Sequence, residues 1–232
     1  MKYIAPNLYT FENLLVGRVY LIEDADGLTI IDGGIAQTAN RLIRQITGSG
    51  RRLSDIKRIL LTHAHPDHVG ALVELQARSG AEVITSEIEK PYADGTLPIV
   101  RPDLESLSSW ERQMPTIPMP KKLPTVDRTV SDGDVIEALG GLQVIATPGH
   151  SPGHVSFWQP ERKILFVGDV IMNAFGLSGM RLPFTVSTPD MAENIRSVRK
   201  IAELDAKIVC FGHGEPITQD ATAKIRAFAT TI

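Results

Sequence analysis

Two patterns of apolar residues alternate along this chain. In the first, short runs rich in Val, Ile, Leu and Phe are bounded by Gly, Pro, Asp or Ser, which is typical of β-strands. In the second, apolar residues recur every three or four positions, which indicates helices with one buried face. The predicted strands are residues 19–22, 28–31, 59–61, 83–85, 142–146, 155–158, 164–167 and 208–211. The predicted helices lie around residues 39–48, 69–73, 191–202 and 221–228.

Two of these helices carry recognisable boundary residues. Gly48 follows the apolar stripe of the first helix, and glycine is common where helices end. Thr188 and Pro189 precede the stripe at 191–202. A threonine is a good N-cap and proline is favoured at the first helical position. We therefore expect the third helix to begin with Thr188 as its N-cap.

Strands occur in both halves of the chain, and helices flank them. This order predicts an α/β (α+β) fold, a four-layer αββα sandwich of two mixed β-sheets, forming one domain over residues 1–232. Two segments do not fit this scaffold, namely 88–124, which contains seven prolines, and 172–188, which is rich in scattered apolar residues. Long ordered loops often bind ligands, so we expect both segments to cover a substrate, although they could simply cover the scaffold.

Composition narrows the functional classes. The 232 residues are 43% apolar, with a formal charge of −3 and a pI near 6.1, so nothing favours binding to nucleic acid or an acidic membrane surface. No apolar run approaches the roughly 18 residues that would span a bilayer, and the N-terminus lacks the pattern of a secretory signal. The single cysteine excludes an internal disulfide. The expectation is a cytoplasmic protein acting on a small molecule, with its oligomeric state open.

A dense group of possible metal ligands follows the predicted strand at 59–61. The segment His63-Ala64-His65-Pro66-Asp67-His68 places four such side chains within six residues. Zinc accepts imidazole and carboxylate ligands, and catalytic zinc sites keep one position open for water. Three further candidates each follow a short apolar run later in the chain: His150, Asp169 and His213. Seven candidates are more than one tetrahedral ion can use, so the sequence predicts two divalent metal ions.

The ordered set of motifs resembles the metallo-β-lactamase-fold hydrolase superfamily, whose hallmark is H-x-H-x-D-H followed by a distant His, Asp and His. The likeness covers nearly the whole chain, from the strand before Asp32 to His213. It implies that Asp32 orients a ligand histidine and that His154 supports the site without binding metal. It also implies that one ion is held by His63, His65 and His150, the other by Asp67, His68 and His213, with Asp169 bridging.

This chain differs from several branches of the superfamily, and the differences indicate a compact glyoxalase II-like or lactonase-like member. Family β-lactamases usually replace the bridging aspartate, whereas Asp169 is present here. Glyoxalase II has a long helical C-terminal extension, but only 19 residues follow His213. The family's nucleases carry an added domain or arm, for which this chain shows no room. Well-known acyl-homoserine lactonases have a tyrosine soon after the bridging aspartate, and residues 170–175 contain none.

The resulting prediction is a metal-dependent hydrolase that attacks a lactone or thioester with a metal-bridging hydroxide. Asp67 and Asp169 are its predicted catalytic carboxylates. Zinc (Zn²⁺) is the expected metal, although manganese, iron and cobalt accept the same ligands. The same scaffold leaves three alternative functions open: a mononuclear iron oxygenase of the persulfide dioxygenase type, a β-lactamase or a phosphodiesterase. A sensor that has lost its chemistry would be expected to lack ligands, and none is missing.

Overall fold

The first sheet contains seven strands in the order in which they occur along the chain. The computed structural model describes residues 1–173 and 179–232. The first four strands of the sheet are antiparallel neighbours, and the last four run parallel to one another. These strands are β1 (Lys2–Ala5), β2 (Leu8–Thr10), β3 (Tyr20–Asp24), β4 (Gly27–Ile31), β5 (Ile56–Leu60), β6 (Glu82–Ser86) and β7 (Arg128–Val130).

The second sheet contains five strands in the order β14-β11-β10-β9-β8. Only the pair β11 and β14 is parallel, so this sheet is also mixed. Its strands are β8 (Val135–Ile136), β9 (Leu142–Ala146), β10 (Val155–Gln159), β11 (Ile164–Gly168) and β14 (Ile208–Phe211). A separate small hairpin joins β12 (Met172–Asn173) to β13 (Met180–Arg181).

Alternating side chains of the central strands fill the layers on either side of each sheet. In β11, Ile164 and Phe166 face the first sheet, while Leu165 and Val167 face the outer helices. This period of two is the geometry of a pleated strand, and it explains why the whole run is apolar. Each large side chain buried in this way contributes about 1.5–3 kcal/mol of transfer free energy.

Helices cover the outer face of each sheet. Two pack on the first sheet through Leu42 and Leu72, and two pack on the second through Val198 and Ile225. The predicted αββα sandwich of two mixed sheets is therefore confirmed. The helices are α1 (Ala39–Gly48), α2 (Pro66–Val69), α3 (Leu72–Ser79), α4 (Lys90–Ala93), α5 (Met191–Ala202) and α6 (Ala221–Ala229). Short 3₁₀ turns occur at Ala36–Thr38, Leu53–Asp55, Leu104–Ser106, Glu111–Gln113 and Thr185–Ser187.

The predicted start of α5 was wrong. Asp190 is the N-cap, and its side chain accepts a hydrogen bond from the Glu193 N–H at 2.8 Å. Thr188 lies two residues earlier, where its hydroxyl contacts His150. A threonine and an aspartate are both good caps, and here the tertiary contact of Thr188 leaves the aspartate to begin the helix.

Other elements differ from the predictions in smaller ways. The helix predicted near residues 69–73 is two helices, α2 and α3, separated at Gly70. Seven elements of only two to four residues each were not predicted, namely β1, β2, β7, β8, β12, β13 and α4. Phe175 and Leu177, part of the predicted covering segment 172–188, lie outside the described residues. Among the helices of the described ranges, none is both long and apolar enough to cross a membrane.

Candidate metal centre

The segments that follow four strands bring all seven predicted ligands to one edge of the sandwich. The H-x-H-x-D-H segment follows β5 and runs into α2, Asp169 follows β11, and His213 follows β14. The remaining ligand, His150, lies on the loop that connects β9 to β10. Since β11 and β14 are parallel neighbours, their carboxyl ends deliver Asp169 and His213 to the same place.

Three imidazoles form the first donor group. His63 Nε2 lies 3.1 Å from His65 Nδ1, which lies 2.9 Å from His150 Nε2. In two of these rings the Nδ1 atom points away from the group and contacts a hydroxyl. His63 Nδ1 lies 3.0 Å from the Thr62 hydroxyl, and His150 Nδ1 lies 3.0 Å from the Thr188 hydroxyl. Both hydroxyls have carboxylate or carbonyl acceptors of their own, so they accept from Nδ1–H. The Nε2 lone pairs of His63 and His150 are thereby directed at the centre of the group.

The second donor group combines two imidazoles with a carboxylate. His213 Nε2 lies 3.1 Å from Asp67 Oδ2, and the donor atoms of Asp67, His68 and His213 all lie within 4.8 Å of one another. His68 Nδ1 donates to Asp32 Oδ2 at 2.9 Å. The predicted role of Asp32 in orienting a histidine thus corresponds to a direct contact, which leaves His68 Nε2 facing the group.

Asp169 lies between the two groups. Its Oδ2 atom is 3.5 Å from His150 Nε2 on one side, and 3.5 Å from His68 Nε2 and 3.1 Å from His213 Nε2 on the other. One carboxylate oxygen is therefore within reach of donors from both groups. This is the position that a bridging ligand between two ions would need.

The burial and charge of the site fit bound cations. Asp32 and Asp169 are almost fully buried, and Asp67 is largely so. Buried carboxylates must be compensated by nearby positive charge. Two buried atoms, His68 Nε2 and Asp169 Oδ1, make no hydrogen bond with any described residue. Buried polar atoms are rarely left without a partner, and a cation would satisfy both.

The two donor groups differ in their protonation. Burial is the main reason that the pKa of His65 falls to about 4, and it holds the pKa values of His63 and His150 well below 6.5. In the second group burial acts in the same direction, but the Asp169 carboxylate overcomes it. The pKa of His213 rises to about 9, and that of His68 lies well above 6.5. The first group is therefore ready to bind a cation at neutral pH, while the second must release protons.

His154 supports Asp169 from behind. Its Nε2 accepts a hydrogen bond from the Asp169 N–H at 3.1 Å, and its Nδ1 lies 2.8 Å from the Thr147 hydroxyl. Both ring nitrogens are used, and burial lowers the pKa of His154 to about 3. Gly168 has a positive φ of 52°, and a Cβ there would overlap the His154 ring. A Cβ at Gly212 would overlap Asp169 Oδ1, so the close approach of the backbone requires glycine.

Glu89 is a buried carboxylate that sequence reasoning missed. It is 1% exposed and accepts hydrogen bonds from Ala64 N–H at 2.8 Å, from Gly153 N–H at 2.9 Å and from the Ser151 hydroxyl at 2.9 Å. Ala64 separates His63 from His65, while Ser151 and Gly153 follow His150. Glu89 therefore ties together the two loops that carry the first donor group. Its neighbours in sequence form no motif, so only the tertiary structure reveals the connection.

The donor groups lie at the floor of an apolar cavity of about 240 Å³. His65, Asp67, His150, Asp169 and His213 line the floor, while His63 and His68 are fully buried beneath it. The walls come mainly from the two segments that did not fit the scaffold, and the hydroxyl of Thr185 in one segment donates to Glu111 in the other. The described apolar wall residues include Ile99, Val100, Met114, Ile117, Met119, Met172, Phe184 and Val186.

An αββα sandwich with converging histidines and carboxylates at one edge defines a class of metal-binding enzymes. Residues 13–213 match the family profile described as the metallo-beta-lactamase superfamily, and the chain belongs to that superfamily. This confirms the resemblance found in the sequence. Relatives that match most of this chain are named as a metallo-hydrolase and a hydrolase, so the chain is a metal-dependent hydrolase.

Individual relatives match most of the chain. The probable metallo-hydrolase YflN of Bacillus subtilis (strain 168) is 28% identical over 221 residues, covering 88% of this chain and 82% of the relative. The hydroxyacylglutathione hydrolase GloC of Haemophilus influenzae is 30% identical over 205 residues, covering 84% of each. A metallo-beta-lactamase family protein from Thermus thermophilus shares the fold, with a TM-score of 0.72, 24% identity and coverage of 99% of this chain and 80% of that one.

Proposed function

We propose that this protein is a dinuclear hydrolase of carboxylic ester-type bonds, acting on small lactones or thioesters. The observation that carries the proposal is the position of Asp169 Oδ2, within 3.5 Å of nitrogen donors on both sides. We assign one ion to His63, His65 and His150 and the other to Asp67, His68 and His213, with Asp169 shared. Two divalent ions, with zinc expected, would lower the pKa of a bound water and polarise the carbonyl under attack.

The chain's own residues define how the substrate is held. Asp67 and Asp169 present carboxylates at the cavity floor, where they would hold the ions and orient the attacking water. Segments 88–124 and 172–188 supply the apolar walls that exclude bulk water from the scissile bond. A cavity of about 240 Å³ suits the acyl part of a small molecule.

The lining residues also favour good leaving groups. Apart from the proposed metal ligands, the described residues that line the cavity include no histidine, carboxylate, tyrosine, lysine or cysteine that would protonate a departing amine. A thiolate leaves without such help, and a ring-opened alkoxide would be stabilised by a bound metal ion, whereas an amide nitrogen needs a proton. The described part of the lining also lacks the several positive side chains expected of a phosphodiester site. The relative named a hydroxyacylglutathione hydrolase supports the proposal that thioesters are substrates.

A panel of four substrate classes tests the proposal. Lactones, thioesters, β-lactams and phosphodiesters are each assayed on one metal-replete preparation, and the same panel is repeated after reconstitution with manganese, iron or cobalt. We expect the highest kcat/KM for a lactone or a thioester. A clear preference for β-lactams or phosphodiesters would overturn the substrate class. Oxygen consumption with a persulfide, without hydrolysis of any ester, would overturn the hydrolytic reaction itself.

A further inference from the structure

A single cationic side chain faces the apolar cavity. Arg101 is the only lysine or arginine among the described residues that line it. It lies in segment 88–124, directly after Ile99 and Val100, which also line the cavity. The Arg101 side chain is exposed and takes part in no hydrogen bond or ion pair with any described residue. Its guanidinium group is therefore available to a ligand.

The isolation of Arg101 contrasts with other arginines of the chain. Arg51 pairs with Glu23 at 2.7 Å, and Arg18 pairs with Glu215 at 2.6 Å. Neither pair lines the cavity. An unpaired arginine at a mostly apolar surface is suited to a planar anion, because its forked donors match a carboxylate in two parallel hydrogen bonds.

Arg101 and the donor residue His65 are placed to contact one and the same ligand. Both residues line the same cavity, with apolar side chains such as Ile117 and Phe184 forming its walls. A ligand in this cavity can therefore contact the donor groups, the apolar walls and the Arg101 guanidinium together.

We propose that Arg101 binds a carboxylate on the substrate, so that the preferred substrates carry an anionic group separated from the scissile bond by an apolar chain. This inference rests on the proposed hydrolysis of lactones or thioesters and narrows its substrate class. Arg101 determines specificity through KM, because its contact with the substrate carboxylate is the same before and during the reaction.

Two thioesters of matched length test the inference. The hexanoyl thioester of N-acetylcysteamine is neutral, whereas the adipoyl thioester has the same chain length and ends in a carboxylate. For Arg101→Gln, we expect KM for the adipoyl thioester to rise about tenfold or more, since a charge-assisted hydrogen-bonded pair is lost. KM for the hexanoyl thioester should change by less than about twofold, and Arg101→Lys should recover part of the loss.

Arg112→Gln is the matched control, because Arg112 is exposed in the same segment but does not line the cavity. It should leave both thioesters unchanged. Equal effects of Arg101→Gln on the two thioesters, or no effect on the adipoyl one, would overturn the inference. Calorimetric binding of the corresponding non-hydrolysable thioethers separates the two proposals. If neither the thioesters nor any lactone of the panel is hydrolysed, the proposed function fails, while weaker binding of the carboxylated thioether to Arg101→Gln would still support the role of Arg101.

Discussion

The ring of His154 holds the backbone of Asp169 through a hydrogen bond of 3.1 Å from the Asp169 N–H to His154 Nε2. The side chain of Asp169 is left to face the donors of both groups. The two residues therefore have different tasks, although both are buried and only 15 positions apart. We expect Asp169 to supply a donor atom and His154 to hold that donor in place.

Substitution at the two positions should have unequal effects. Asp169→Ala removes the shared carboxylate, so we expect both loss of metal and a fall in turnover larger than the roughly 100-fold upper range for supporting residues. His154→Gln keeps a side chain that can hydrogen-bond, so turnover should fall only about 10–100-fold. Elemental analysis and steady-state kinetics on folded protein would measure both. Equal and complete loss in the two variants would contradict the ranking.

The wild-type chain should bind two metal ions, since the two donor groups share only Asp169. His213→Ala should keep one ion on the imidazoles of His63, His65 and His150. His65→Ala should keep one ion on the other group. Metal content measured after reconstitution and removal of loosely bound ions tests this directly. A wild-type content of no more than one ion per chain would reject the dinuclear assignment.

Metal binding to the second group should depend on pH. The pKa of His213 is raised to about 9 in the metal-free protein, so this ring is protonated at neutral pH and must lose its proton to bind an ion. Affinity there should increase as the pH rises from about 6.5 to 9, by up to about tenfold per unit for each proton released. The first group, where the pKa of His65 is about 4, should bind without this dependence above about pH 5.

Titration calorimetry in buffers of different ionisation enthalpy would count the released protons. His213→Ala serves as the control, because the second binding event and its proton release should both disappear. The raised pKa of His213 also sets how the stability of the metal-free fold depends on pH. The charged ring stabilises the fold below pH 6.5, and this contribution disappears as the pH rises through 9. An affinity that falls with increasing pH would contradict the assignment.

Glu89 should stabilise the first donor group without touching an ion. Glu89→Ala leaves three buried donors without an acceptor, each costing about 1–3 kcal/mol, so we expect a clear fall in Tm. Metal affinity should fall about 10–100-fold, because the loops of His63 and His150 are no longer tied. Glu89→Gln should be milder, and Glu87→Gln is the control because Glu87 is exposed. Unchanged metal affinity in a folded Glu89→Ala variant would show that the carboxylate only supports the fold.

Thr188 should act on His150 alone. Its hydroxyl donates to the Phe184 carbonyl at 2.9 Å and so accepts from His150 Nδ1–H. Thr188→Val keeps the shape but leaves a buried N–H unpaired, at a cost of about 1–3 kcal/mol. We expect lower metal affinity in the first group, with Thr188→Ser restoring it. A Thr188→Val variant with wild-type metal affinity would exclude this role.

Much of the fold and the candidate ligand set could be predicted from the sequence because they depend on local order. The H-x-H-x-D-H segment is one short continuous stretch that leads from β5 into α2, so the closeness of His63, His65 and His68 follows from chain geometry alone. Strands such as β11 are apolar on both faces, which already indicates a layer on each side. Asp169 and His213 could be assigned because each directly follows such a strand.

Only the tertiary structure decided how these local pieces meet. The pairing of β11 with β14 places Asp169 beside His213, and the two loops meet around Glu89, whose sequence neighbours carry no signal. Thr188 has the local features of a helix cap, yet its hydroxyl is used by His150, and Asp190 caps α5 instead. The physical reason is the same in each case: a side chain with several possible hydrogen-bond partners takes the one that the packing of distant segments brings within reach.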